Sequence, residues 1–202
     1  MQHLPSSLHQ PGLVLLIGLV GVLQPGISQA DTGMDINLTA NIVNSTCKIS
    51  LENNGEIYLP TVMKSWFYNS DGSDRYSPTD DAGGTPFTVH IEDCYENSTG
   101  SEFRQLQFRF TPQSGFENNQ NQVFKNDASG GAAENVGIVV FSNRYKTNVL
   151  NSDGSSNVIY DISGKSSSQY LTDYHFYARY QNTGAVTAGT VTSKVLLDVS
   201  YE

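Results

Sequence analysis

Basic residues are scarce: eleven Lys and Arg face twenty Asp and Glu, for a formal charge of -9 at pH 7. A chain this negative repels phosphate backbones and anionic bilayers, which argues against nucleic acid as a partner. Cysteine is scarcer still, with only Cys47 and Cys94. Their spacing rules out a CxxC redox pair, and two thiols without neighbouring His do not make a zinc site. Helix-building runs of Ala, Leu, Glu and Lys are missing, and no apolar run reaches the length of a bilayer span. GxSxG, HExxH and phosphate-cradling Gly-rich loops are also absent, so nothing points to an enzyme, a cofactor or a bound metal. The chain's 202 residues suit one ordinary domain.

What remains is a leader followed by strands. Leu13 to Leu23 is an apolar run, and Ser28 and Ala30 stand at the -3 and -1 positions of a small-residue cleavage site. Residues 1–30 therefore read as a signal peptide, although the stretch before Leu13 lacks Lys and Arg. In the oxidising compartment this implies, Cys47 and Cys94 have one intramolecular pairing open to them. It would close a loop of roughly 48 residues, worth about 4 kcal/mol in the chain-entropy model.

Period-two alternation recurs between clusters of Gly, Asn, Asp and Ser, the pattern of half-buried strands in an all-β sandwich. Met34, Ile36, Leu38, Ala40 and Ile42 alternate with Asp35, Asn37, Thr39 and Asn41 ahead of the first cysteine. Further runs are KISLE, Ile57 to Val62, Phe87-Val89-Ile91, Leu106-Phe108-Phe110, the dense run Val136 to Phe141, and Tyr174-Phe176-Ala178-Tyr180. The dense run suits a central strand. In the closing segment Val191, Val195, Leu197, Val199 and Tyr201 share one face. Both terminal segments therefore read as strands with exposed edges, which invite pairing with another chain.

Several motifs together resemble the pilin subunits of bacterial chaperone–usher fimbriae, closest to the type 1 fimbrial family. They are the alternating extension before Cys47, the strand PFTVHIEDC ending at Cys94, ENVGIVVF, and YHFYARYQNTGAVTAGT. The end of the chain adds Gly189, fourteenth from the C-terminus, and the penultimate Tyr201. The resemblance covers essentially all of the chain after residue 30. It implies an incomplete immunoglobulin-like β-sandwich that lacks its final strand and is completed by donor-strand complementation.

On that resemblance residues 31–45 are an N-terminal donor-strand extension and 46–202 the pilin domain. Met34, Ile36, Leu38, Ala40 and Ile42 are the donated side chains. Gly189, Val191, Val195, Leu197, Val199, Tyr201 and Glu202 form the acceptor groove and chaperone-recognition strand, with the Glu202 carboxylate as the anchored end. The implied partners are other fimbrial subunits, a periplasmic chaperone, an outer-membrane usher and, for adhesion, a host receptor. The implied destination is the cell-surface fimbrium, reached through the periplasm. Ala40 departs from the pattern, since the family usually has Gly there.

The remaining polar residues read as surface. His90 and His175 fall on polar strand faces, and Glu92 with Asp93 or Asp80 with Asp81 lack the ligand spacing of a calcium loop. Trp66, Phe67, Tyr68 and Tyr76 lie in the polar stretch Lys64 to Gly84. They serve either to anchor that loop or as an aromatic platform for a sugar. The second option defines the alternative function, a tip-located or secreted carbohydrate-binding β-sandwich adhesin.

Overall fold

The computed structural model describes residues 46–94 and 104–202. The predicted signal segment 1–30 and the extension carrying Met34, Ile36, Leu38, Ala40 and Ile42 lie outside the described residues. Nine strands follow in order: β1 Cys47–Leu51, β2 Thr85–Cys94, β3 Gln105–Pro112, β4 Phe116–Glu117, β5 Gln120–Phe124, β6 Val136–Ser142, β7 Val158–Asp161, β8 Asp173–Asn182 and β9 Val195–Tyr201. Among the described residues one α-helical turn, α1, spans Ser167–Tyr170, and two 3-10 turns span Glu52–Gly55 and Lys64–Phe67.

The strands form two antiparallel sheets. The larger has the order β1-β2-β8-β6-β5-β4 and the smaller β7-β3-β9. Their apolar faces meet in one core because period-two alternation sends every second side chain inward. Val89 and Ile91 of β2, Leu106, Phe108 and Phe110 of β3, and Phe176 of β8 are all buried. Phe108 of the small sheet meets Tyr174 and Phe176 of the large one at ring-centroid distances of 4.8 and 5.5 Å. Cys47 and Cys94 lie opposite one another across β1 and β2 and are joined by a disulfide.

Two features differ from the local sequence pattern. The turn-rich stretch after Pro112 contains the short hairpin of β4 and β5, which extends the large sheet. Asn118 and Asn119 form its turn with φ of 47° and 60°, the left-handed region that Asn tolerates better than most residues. Ile57 to Val62 alternates like a strand yet belongs to no ladder among the described residues.

The outer face of the large sheet is covered as well, which is why β6 is buried along nearly its whole length. Residues 64–84 fold over it. Arg179, on what reads as a solvent-facing position of β8, is 3% exposed. Its guanidinium donates to the carbonyls of Ser77 and Asp80, both at 2.8 Å, and to Gln181 Oε1 at 2.7 Å, while lying over Phe141. Burial lowers its pKa to about 10, which leaves it charged at neutral pH. Gln181 donates to the Tyr76 carbonyl and the Tyr177 hydroxyl to that of Asp81.

Candidate functional site

Among the described residues the sandwich is open along part of one edge of β9. Glu202 and Gln105 exchange two N–H···O bonds, and the Gln113 N–H donates to the Lys194 carbonyl at 3.0 Å. Because bonded and non-bonded pairs alternate in an antiparallel ladder, Leu196, Asp198 and Ser200 aim their backbone groups at β3. Val195, Leu197, Val199 and Tyr201 aim theirs at the opposite edge. Pro112 fits this register, since it faces Val195, where no N–H is needed.

Only part of that opposite edge is closed. Thr46 bridges Ser200, which covers the end carrying Val199 and Tyr201. These two side chains are 2% and 7% exposed and belong to the core. Val195 and Leu197 are half-buried, and among the described residues no strand pairs with their edge. Beside them runs an apolar cleft floored by Phe87, Phe110, Ile138 and Ala178.

The far wall is the unpaired segment Ile57 to Val62. Ile57 and Leu59 line the cleft, and Tyr58 between them points outward at 70% exposure. The flanking Glu56 and Met63 are extended, with φ/ψ of -85°/118° and -81°/158°. The cleft thus lies between two extended segments whose facing edges pair with no strand among the described residues. Ile57, Leu59, Phe87 and Ile138 were not singled out as groove residues from sequence. The signal was present in the alternation of Ile57, Leu59 and Thr61, which turns Ile57 and Leu59 to the cleft.

Further along, Val191 joins Ile138 and Tyr180 in the same trough. The trough ends in a wider cavity of about 650 Å³ walled by Phe67, Val136, Val186 and Gly189. A parallel bridge pairs Thr190 with Ala132 there, so two backbones nearly touch. A Cβ on Gly189 would stand 2.4 Å from the Ala133 nitrogen, closer than any real contact. Any side chain at Gly189 would force this end of the trough to move. At the other end Glu202 is exposed, while its backbone is held by Arg104 and Gln105.

The aromatic residues of the 64–84 segment pack together. Trp66 meets Phe67, Tyr76 and Tyr180 at 5.1, 5.7 and 6.4 Å, and Phe67 is buried. The rings fasten the segment to the sheet. His90 pairs with Asp173 at 2.7 Å on the exposed strand face, and His175 lies 3.2 Å from Thr88 Oγ1. No group of three or more potential metal ligands exists among the described residues.

Residues 36–202 match the family model described as Fimbrial protein. The chain belongs to this fimbrial protein family. This fimbrial protein is 36% identical over 180 residues to the uncharacterized fimbrial-like protein YadK of Escherichia coli K12, covering 86% of this chain and 87% of the relative. It is 25% identical over 175 residues to the major fimbrial subunit SMF-1 of Stenotrophomonas maltophilia, covering 82% and 90% of the two chains. The crystal structure of the P pilus rod subunit PapA aligns over 83% of this chain and 99% of its own, with TM-score 0.48 and 15% identity. The chain is a fimbrial subunit built as a two-sheet antiparallel β-sandwich, in which no strand among the described residues pairs with the β9 edge at Val195 and Leu197. Other fimbrial subunits are its partners and the surface fimbrium its setting.

Proposed function

We propose that this fimbrial subunit polymerises by donating residues 31–45 to the β9 cleft of a neighbouring copy or related subunit. One observation carries the reading: the cleft has an apolar floor and two extended walls, Ile57–Val62 and Val195–Leu197, whose facing edges are unpaired among the described residues. A single inserted strand can pair with both walls while alternate side chains fill the floor, which is β-strand addition. Burying four side chains such as Met34, Ile36, Leu38 and Ile42 would contribute about 6 to 12 kcal/mol before ordering costs. Ala40 would occupy the position with least room to spare.

Donation in trans is favoured by how the chain enters the domain. Thr46 pairs antiparallel with Ser200 at the closed end of β9, away from the open edge at Val195. Before assembly, a periplasmic chaperone would fill the same cleft and hold the Glu202 carboxylate. An outer-membrane usher would then exchange that strand for the next subunit's extension. Export through the periplasm by way of segment 1–30 and service in adhesion complete the proposal. Trp66 and Tyr76 are half-buried and packed with Phe67 and Tyr180, which favours loop anchoring over the sugar platform of the adhesin alternative.

The test is Leu38→Asp. It would force a charge into the neighbour's apolar cleft, so fibres should be lost while the chaperone-bound subunit still accumulates. Normal fibres from this variant in electron micrographs would overturn the mechanism.

A further inference from the structure

The open edge of β9 does not stop where the strand does. Residues 191–194 belong to no ladder among the described residues, yet the alternation of β9 runs on through them. The Lys194 carbonyl accepts from the Gln113 N–H at 3.0 Å and the Thr192 carbonyl from the Asp127 N–H at 2.8 Å. Thr190 donates to the Gly131 carbonyl and accepts from the Ala133 N–H. Residues 190, 192 and 194 thus turn their backbone groups into the domain, and Val191 and Ser193 turn theirs the other way, in line with Val195 and Leu197. The edge left for a partner strand is therefore 191–197, about 20 Å long, of which β9 itself supplies only Val195 to Leu197.

One side chain holds much of this added length. Asn126, just past β5, uses all four hydrogen-bonding positions of its amide. Its Nδ2 donates to the carbonyls of Ala133 at 2.8 Å and Thr190 at 3.0 Å. Its Oδ1 accepts from the N–H groups of Thr192 at 2.9 Å and Ala128 at 3.2 Å. Toward Thr190 and Thr192 the amide presents one donor and one acceptor, as a residue of a neighbouring strand would. Asn126 is itself fixed from behind, because its backbone N–H donates at 3.0 Å to the carboxylate of the buried Glu117.

The wall needs such a hold at this place. β3 ends at Pro112, opposite Val195, so no strand among the described residues supports the inner side of 190–193. Thr192 is exposed and Val191 and Ser193 are half-buried, which leaves little packing to keep the stretch extended. A backbone without a fixed partner frays, and a strand that docks on it must first order it at an entropic cost. The Asn126 amide meets that cost within the folded subunit.

Resting on the donor-strand reading, we propose that Asn126 is a positioning residue for donor uptake. Its amide stands in for a strand on the inner side of 190–192 and keeps Val191 and Ser193 extended. A donor then finds a preformed edge of four backbone positions, Val191, Ser193, Val195 and Leu197, instead of two. Asn126 acts through the wall that it holds.

The test is amide hydrogen exchange, read by NMR on the full chain with excess peptide 31–45 or a scrambled control. In the wild type the native peptide alone should slow exchange at Val191, Ser193, Val195 and Leu197, each at least about tenfold. In Asn126→Ala, Val195 and Leu197 should keep that protection while Val191 and Ser193 lose it, and peptide affinity should fall about tenfold. Asn126→Asp has the same shape and keeps an oxygen for Thr192, but sets a second oxygen against the carbonyls of Thr190 and Ala133. It should give the same split. Protection of all four amides in either variant, or equal loss at all four in a folded variant, would overturn the assignment. Failure of both variants to fold would make Asn126 a residue of the fold and not of the wall, and would overturn it too. No protection at any of the four in the wild type would overturn the donor-strand reading and this proposal with it.

Discussion

The two ends of β9 carry the same alternation of apolar side chains and have opposite fates. At the closed end Val199 and Tyr201 sit under Thr46 and contribute to the core. At the open end Val195 and Leu197 face a cleft with no strand beside them among the described residues. One strand thus differs along its length: the closed half is buried in the subunit's core and the open half borders the cleft. An edge left open this way would be a hazard in an ordinary domain. On the donor-strand proposal it is where the next subunit attaches.

Aspartate substitutions at the two ends should separate these roles most sharply. Val199→Asp buries an unpaired charge in the core and should cost at least about 4 kcal/mol, so no folded subunit should be recovered. Leu197→Asp borders the open cleft and should cost the domain under about 1 kcal/mol while abolishing strand binding. Urea melts of both variants, with a pull-down against peptide 31–45, check the pair. Equal destabilisation at both positions would break the comparison.

A smaller effect is expected on the outer face of the large sheet. Arg179→Met removes the donors holding the carbonyls of Ser77 and Asp80 and should cost about 2 to 3 kcal/mol. Limited proteolysis should then cut within 64–84, whereas the stabilisation gained from an added donor peptide should persist. Loss of that gain would mean that the clamp and the cleft are coupled.

The smallest effect concerns pH. Burial raises the Tyr160 phenol and pushes that of Tyr174 up to about 12. Unfolded phenols ionise near pH ~10, so this contribution is intact below that pH and is lost as pH rises through the folded values. Arg179, lowered to about 10 by burial, opposes the trend in the same window. Stability measured by urea melts should therefore fall from pH 10 to 12, and Tyr174→Phe should flatten the fall. Because Tyr174 lies in the closed core, peptide binding at the open edge should not alter that difference.

The strands and the closed core were legible because alternation is a local signal: Val89, Ile91, Leu106, Phe108 and Phe110 all point where their spacing says. Arg179 was not, since its position in the alternation looks solvent-facing and its partners are carbonyls about a hundred residues earlier in the chain. The β4–β5 hairpin was hidden by brevity, and only the Asn118-Asn119 turn marked it. The cleft was half legible. Val191, Val195 and Leu197 showed one wall, but the Ile57–Leu59 wall reads as an ordinary strand and pairs with none among the described residues. No local pattern states that a partner is missing.

The most direct measurement is thermal melting of the chain begun at Ile42, refolded with peptide 31–45 or a scrambled control. A ligand that binds only the folded state raises its stability by mass action. The account predicts a rise of the order of tens of degrees with the native peptide alone, reduced by Leu197→Asp. A domain already stable by itself, and indifferent to both peptides, would contradict it.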